Sequence, residues 1–391
     1  MKKTILLLLL LLPILGTAQQ GSWQGKFEQL DQMLPTPNSY RSSSGAPGVN
    51  YWQQRADYTI NVELNDEKQS ITGSETITYY NNAPEDLKYL WVQLDQNLYA
   101  DGSMTRKTQG SAVRDSVPAK AMATTAGVLD YKGGYNIQSV RDANDKSLNY
   151  IINYTMMRVD LPQPLKKGEK FTFKVDWSYN VNDMMMVGGR GGMEYFPEDG
   201  NYIYFIAQWF PRMCVFDDYE GWQNKQFLGA GEFALTFGNY RVRITVPSDH
   251  IVGATGWLQN PKEVLTPEQI NRFEKARKTF DQPVFIVTQE EAIRKEKEKS
   301  TRKSTWEFYA ENVRDFAFSS SRKYVWDAMA VKNGNGTPLA QSLYPKEGYA
   351  LWSKESTKAI KNTLDVYSAR TVDYPYPTAY SCNWVGGGME Y

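Results

Sequence analysis

The sequence predicts a mostly β protein: a large, chiefly antiparallel β domain over residues 51–327, then the truncated opening of an α/β domain over residues 328–391. Runs of alternating apolar and polar residues recur from Tyr58 to beyond Trp306, the period of strands with one buried face. The texture changes after about residue 327, where a helix, a proline turn, a short strand and a glycine loop follow in order. The aromatic content, 11 Trp, 26 Tyr and 16 Phe, is enough to fill a sizeable core and suits strands.

From the N-terminus, residues 1–18 read as an export signal. Lys2 and Lys3 precede an apolar run that is short for a membrane span, and Gly16, Thr17 and Ala18 supply the small residues of a cleavage site. The mature chain is therefore expected to be exported, periplasmic or extracellular, with no membrane span after signal removal. Residues 19–50 are polar and rich in Gly, Ser, Pro and Gln, and read as an extended, poorly ordered lead-in. Tyr58, Ile60, Val62 and Leu64 then alternate with polar residues. Asn65, Asp66, Glu67 and Lys68 form a turn, and residues 71–79 a second strand. Two more alternating runs are Phe171, Phe173, Val175, Trp177, Tyr179 and Tyr240, Val242, Ile244, Val246, the latter closed by Pro247. Trp306, Phe308 and Ala310 make a shorter set.

Two helices are expected as insertions. Thr266-Pro267-Glu268 is an N-cap with proline at the first helical position, leading into Ile270, Phe273 and Ala276. Residues 290–299 are highly charged and read as a solvated surface helix. Beyond the loop Asn333-Gly334-Asn335-Gly336, residues 353–370 place Ile360, Leu364 and Tyr367 at helical spacing. Tyr374-Pro375-Tyr376-Pro377 ends that helix, and a strand is expected over residues 380–385. So short a terminal stretch has little core of its own, so a fragment of a longer protein is inferred.

Lys plus Arg and Asp plus Glu number 44 each, so no net charge draws the chain to nucleic acid. His250, in Pro247-Ser248-Asp249-His250, is the one histidine and reads as a surface turn residue. With one histidine no H-E-x-x-H zinc motif is possible in this chain. Cys214 and Cys382 read as two separate buried thiols rather than a disulfide. His250 could in principle complete a Ser-His-Asp triad, but no G-x-S-x-G elbow accompanies it.

The strongest chemical signal is Gly387-Gly388-Met389-Glu390. Consecutive glycines let another backbone approach, so an extended peptide can pair there as an added strand. A carboxylate at the end of that segment can meet the peptide's N-terminal ammonium, and an internal peptide segment would leave it unpaired. The same letters recur at Gly191-Gly192-Met193-Glu194-Tyr195, where the reading is an ordinary glycine-rich loop whose role the sequence leaves open.

Gly387-Gly388-Met389-Glu390 resembles the G-x-M-E-N exopeptidase motif of the aminopeptidase N family of zinc metallopeptidases. Gln208-Trp209-Phe210-Pro211-Arg212 through Phe216-Asp217-Asp218 resembles a segment of that family's N-terminal domain. The resemblance implies a saddle-like β domain and the start of a thermolysin-like catalytic domain. It implies that Glu390 binds the α-amino group of peptides with free N-termini, that Gly387, Gly388 and Met389 line the substrate backbone, and that Gln208 reaches toward the first residue. It also implies zinc, held by an H-E-x-x-H and a distal Glu beyond Tyr391, which would activate water for attack on the first peptide bond. No catalytic or metal-ligating residue is then within this chain, and the segment alone is expected to be inactive. Tyr391 departs from the family's Asn, and Gln208 stands closer to Arg212 than in familiar members.

Two other readings stay open. One is a secreted, non-catalytic β-rich module whose Trp and Tyr bind glycans or proteins. The other is a glycosidase using Asp217 and Asp218. Neighbouring strand residues point to opposite faces, so that pair is poorly placed, and capping a turn or pairing with Arg212 suits those aspartates better.

Overall fold

The structure, a computed structural model, describes residues 37–108, 116–119, 121–122, 130–229, 233–334 and 336–383. The expected export signal and Gly387, Gly388, Met389 and Glu390 lie outside the described residues. The chain divides into two compact units, Met1–Trp52 and Gln53–Tyr391. Within the described part of the first, residues 38–48 fold back on themselves rather than running extended. Asn38 Oδ1 accepts from the Tyr40 and Arg41 amides, Arg41 bridges to Pro47, and Gly45 takes φ +80°. An Asx turn and a glycine in the left-handed region suffice for such a reversal.

The second unit is mostly β. Its first strands are β1 Arg55–Asn65, β2 Ser70–Tyr80, β3 Leu87–Gln93, β4 Asn136–Asp142, β5 Tyr150–Asn153, β6 Met156–Leu165, β7 Lys170–Asn180, β8 Gly192–Phe196, β9 Asn201–Ile206, β10 Arg212–Met213, β11 Phe216–Asp217 and β12 Gly221–Trp222. There follow β13 Gly238–Pro247, β14 Ile251–Ala254, β15 Trp257–Leu258, β16 Val284–Val287, β17 Lys303–Val313, β18 Phe318–Ser321, β19 Val325–Ala330, β20 Leu339–Tyr344 and β21 Thr378–Cys382.

A seven-stranded sheet of order β15-β17-β13-β1-β2-β7-β4 is the backbone of the unit. The turn after β1 forms because Asn65 Oδ1 accepts from the Glu67 and Lys68 amides, fixing the β1–β2 register. Tyr58, Ile60, Val62 and Leu64 are buried while Thr59 and Asn61 are exposed, as the alternation predicts. Every pairing in this sheet is antiparallel except β1 with β13, which run parallel with Tyr58 opposite Tyr240. Three four-stranded sheets, β10-β3-β6-β5, β14-β18-β9-β8 and β16-β19-β20-β21, and a two-stranded one, β11-β12, accompany it. In β18, β19 and β20 every residue is buried, so these strands show no alternation.

Helix α1, Pro267–Ala276, starts at the expected cap. Thr266 and Gln269 form a reciprocal capping box, and Phe273 packs against Trp326 with ring centroids 5.5 Å apart. Helix α2, Gln289–Glu298, has a second capping box between Thr288 and Glu291. It is not simply a solvated helix, since Ala292 and Glu296 are buried. Helix α3, Tyr349–Arg370, begins earlier than expected because the 3-10 turn Lys346–Gly348 feeds into it. Leu364 is buried and Ile360 packs beside it, whereas Tyr367 is exposed. The helix stops at Thr371, where φ is −130° and ψ −98°, ahead of the Tyr-Pro run. Strand β21 pairs parallel to β20 and ends at Cys382; Val385 lies outside the described residues.

Candidate functional site

A cleft of about 1280 Å³ opens within the second unit. One wall is the end of β9 (Phe205, Ile206, Ala207) with Met184 and Arg190. A second is the run from Gly253 to Trp257. A third is the end of β17 and its exit, Tyr309 to Asp315. The last is the segment from Tyr374 through β21 to Asn383. Gly256 has φ +88°, and a Cβ there would lie 2.3 Å from the Tyr309 carbonyl oxygen, so only glycine lets this turn pass so close to β17. The walls are cross-tied: Thr378 Oγ1 donates to the Gly256 carbonyl at 2.8 Å, and the Tyr376 hydroxyl donates to the Asn312 carbonyl at 2.9 Å. Aromatic rings, among them Trp257, Tyr309, Tyr376 and Tyr380, line it together with polar groups, and the charges are Arg190, Glu311, Arg314 and Asp315. An apolar, aromatic cleft with a few charged groups suits a ligand that is partly apolar and partly polar, such as a peptide.

Behind the cleft, Arg212 holds the lining residue Asp315. It is buried and donates to Asp95 at 2.8 and 3.0 Å and to Asp315 at 2.6 Å. Trp209 donates its indole N–H to the Phe316 carbonyl at 2.8 Å, fastening the same segment to the β17 exit. Gln208 precedes it with φ +52°, a left-handed conformation uncommon for a residue with a side chain, and its carbonyl accepts from Gln96 Nε2 at 3.0 Å. Ala207, next to Gln208, lines the cleft, and Gln208 is half-buried just behind it. Arg212 therefore pairs with Asp95 and Asp315, not with Asp217 or Asp218. Asp217 caps a turn: its Oδ1 accepts from the Tyr219 and Glu220 amides. No sequence signal pointed to Asp95 or Asp315, which lie more than a hundred residues away on either side.

His250 is not a surface residue. It is 1% exposed, its Nδ1 shares a hydrogen bond with the Ser320 hydroxyl at 2.9 Å, and its Nε2 lies 4.0 Å from Asp66. A Ser, a His and an Asp thus do meet, but the Ser and the His lie inside the protein. Ser320 is 0% exposed and Asp66 is engaged by Arg322, so no substrate reaches them. Burial, followed by the charge of Arg322, pushes the imidazole down to about 3, so it is neutral and structural. Cys214 and Cys382 are free thiols, and burial pushes both up, which makes them poor nucleophiles.

The residues described contain one carboxylate trio, Asp199, Glu296 and Glu347, whose oxygens lie within 4.8 Å of one another. Lysine ammonium groups fill it. Lys323, 0% exposed, donates to Asp199, to Glu296 at 3.1 Å and to Glu347 at 3.0 Å, and lies 4.5 Å from the centroid of the Phe196 ring. Lys346 bonds Asp199 at 3.0 Å and also Glu296. Zinc does not fit among the described residues: the trio is occupied, the lone histidine is committed to Ser320, and of the cysteines Cys214 lies between β10 and β11 while Cys382 ends β21. The second Gly-Gly-Met-Glu copy is not a loop. From Gly192 it forms β8, and Gly191 packs against the β9 exit, where a Cβ would lie 3.0–3.1 Å from Phe205 and Ala207 backbone atoms.

No family model matches the sequence, and no curated protein matches it. Among solved structures, it is similar to an M1 zinc metallopeptidase from Deinococcus radiodurans, at 13% identity and a TM-score of 0.47 for a point mutant of that protein. The same mutant bound to a Tyr-Ser-Ala substrate gives 13% identity and a TM-score of 0.46. In both cases 86% of this chain is aligned, and the chain spans 58% of the length of that protein.

Proposed function

We propose that this chain is the N-terminal portion of an exported zinc aminopeptidase of the aminopeptidase N family, which removes N-terminal residues from peptides. The observation that carries the reading is Gly387-Gly388-Met389-Glu390, which follows by a few residues the strand β21 that lines the aromatic cleft. An extended peptide pairs with the glycine segment, and Glu390 takes its free ammonium as a charge-assisted bond. The aromatic walls receive side chains, and Gln208, held behind Ala207, orients the first residue. With His250 bonded to Ser320 and the carboxylate trio filled by lysines, the reading takes zinc to be held outside this chain and this segment by itself to be inactive.

The test is calorimetric binding of a tripeptide with a free N-terminus against its N-acetylated form, with the wild-type chain and Glu390→Gln. The reading expects the free form to bind at least about tenfold more tightly, and expects Glu390→Gln to abolish that preference. Equal binding of both peptides overturns it, and saccharide binding in the cleft in their place moves the assignment to a non-catalytic module. Amino-acid release by the purified segment would refute its proposed inactivity. An H-E-x-x-H in the reading frame beyond Tyr391 is the expected genetic counterpart. N-terminal sequencing of the mature protein should begin at Gln19.

A further inference from the structure

Glu75 lies in the middle of β2, paired with Ile60 of β1 on one side and Val175 of β7 on the other. It is in phase with Ile71, Ile77 and Tyr79, so its side chain points into the core, where it is 1% exposed. Neither carboxyl oxygen has a hydrogen-bond partner among the described residues. Two further polar groups of the same buried layer are in the same condition. The Trp177 ring lies over Gly73, where a Cβ would sit 2.7 Å from Cε2, the carbon bearing the indole N–H. Tyr135 meets Trp177 edge-on at 5.7 Å. Neither the Trp177 N–H nor the Tyr135 hydroxyl has a partner among the described residues. An isolated carboxylate in such a layer costs far more than a carboxylic acid.

The titratable groups facing Glu75 are Tyr58 from β1, Tyr240 from β13 and Tyr135 from the entry to β4. The charges acting on Tyr58 and Tyr135 are Arg212, Asp95 and Asp315, and Arg212 is paired with both aspartates. None of these compensates a charge on Glu75, and burial alone pushes its carboxyl well up. Tyr58 ties this layer to the segment Trp209–Met213. Its hydroxyl accepts from the Met213 amide at 2.9 Å, its ring stacks on Tyr240 at 4.6 Å, and Phe210 meets it edge-on at 5.5 Å.

We propose that Glu75 is a buried proton-binding site, protonated in the folded protein at neutral pH, whose ionisation loosens the anchoring of the segment Trp209–Met213 on the seven-stranded sheet. The folded carboxyl binds its proton more tightly than the unfolded one, which titrates near 4.3. The linked stability is therefore complete below that value and is lost as pH rises through the folded value. The inference is independent of the aminopeptidase reading.

Three measurements on the chain test it. Chemical denaturation between pH 5 and 9 should show the wild-type unfolding constant rising, relative to Glu75→Gln, by up to about tenfold per pH unit until Glu75 ionises. Hydrogen exchange at the Met213 amide, corrected for its intrinsic pH dependence, should lose protection with rising pH in the wild type and not in Glu75→Gln. Carbon-13 NMR of the Glu75 carboxyl should show the protonated shift at pH 7. Parallel denaturation curves, or an ionised shift at pH 7, would overturn the proposal. The NMR reading decides it even if Glu75→Gln does not fold.

Discussion

In the seven-stranded sheet, Tyr58, Ile60, Val62 and Leu64 face the core while Thr59 and Asn61 face water; in β18, β19 and β20 every residue is buried. The first region is held by apolar surface removed from water from one side. The second is covered on both faces, yet carries Ser319, Ser320, Ser321, Asp327, Gln341 and Ser342, with Arg322 and Lys323 at the β18–β19 turn. Apart from Gln341, whose side-chain amide has no hydrogen-bond partner among the described residues, these groups persist there because they are hydrogen-bonded. Ser319 donates to the Tyr204 carbonyl, Arg322 bridges Asp249, Asn201 and Asp66, and Asp327 accepts from Thr357 and Tyr344. The half-buried sheet tolerates volume changes one residue at a time, whereas a network of buried charges fails when one partner is removed.

The sharpest test of that contrast is Lys323→Met against Ile60→Val. The first leaves Asp199, Glu296 and Glu347 with Lys346 alone and should cost about 3–5 kcal/mol. The second removes one methyl group from the seven-stranded sheet and should cost about 1 kcal/mol. Urea denaturation midpoints compare them directly, and similar losses would break the distinction.

His250 gives the same contrast a pH axis. The folded imidazole, pushed down to about 3 by burial and then by Arg322, stays neutral, while the unfolded one takes a proton near 6.5. The unfolded state binds more protons throughout that window, so stability should fall as pH is lowered from 6.5 toward 3. At pH 5 the loss is on the order of 2 kcal/mol. His250→Gln should remove this component, seen as a shallower acid limb in the difference between the two stability curves. An unchanged limb would show that His250 is not what titrates.

Gly256 tests the cleft wall itself. Gly256→Ala forces a side chain into a left-handed turn and against the Tyr309 carbonyl, and should cost about 1–3 kcal/mol. The fluorescence of Trp257, which lines the cleft, should change with it. A variant of full stability with unaltered emission would mean the wall is not built on that glycine.

How much of this the sequence carried depends on which face was covered. β1, β2, β7, β13 and β17 were legible because one face meets water and the alternation survives. The Thr266 cap was legible because capping is local chemistry. β18 to β20 were not, since double burial erases the alternation. The site suffered most. Arg212 was singled out, but its partners Asp95 and Asp315 are distant in sequence, and the positive φ of Gln208 has no signature in a non-glycine residue. Glu75 was within reach: in phase with Ile71, Ile77 and Tyr79, it is a carboxyl on the core face, readable from period two alone.

The smallest expected effect separates local from regional cooperativity. Thr266 and Thr288 make the same reciprocal capping box, each accepting a backbone N–H at 3.3 Å, so Thr266→Ala and Thr288→Ala remove nearly identical local chemistry, worth about 1 kcal/mol each. Their helices differ in what they carry. α1 presents Phe273 to an apolar contact with Trp326, whereas α2 delivers Glu296 to Lys323 and Lys346 and its backbone carbonyl to Asn201. If the buried charges behave as one unit, fraying α2 disturbs all of them, and Thr288→Ala should lower the melting temperature measurably more than Thr266→Ala. Equal shifts would mean that the cap loss stays within each helix, and that the charge cluster is held by β8, β9 and the β18–β19 turn without help from α2.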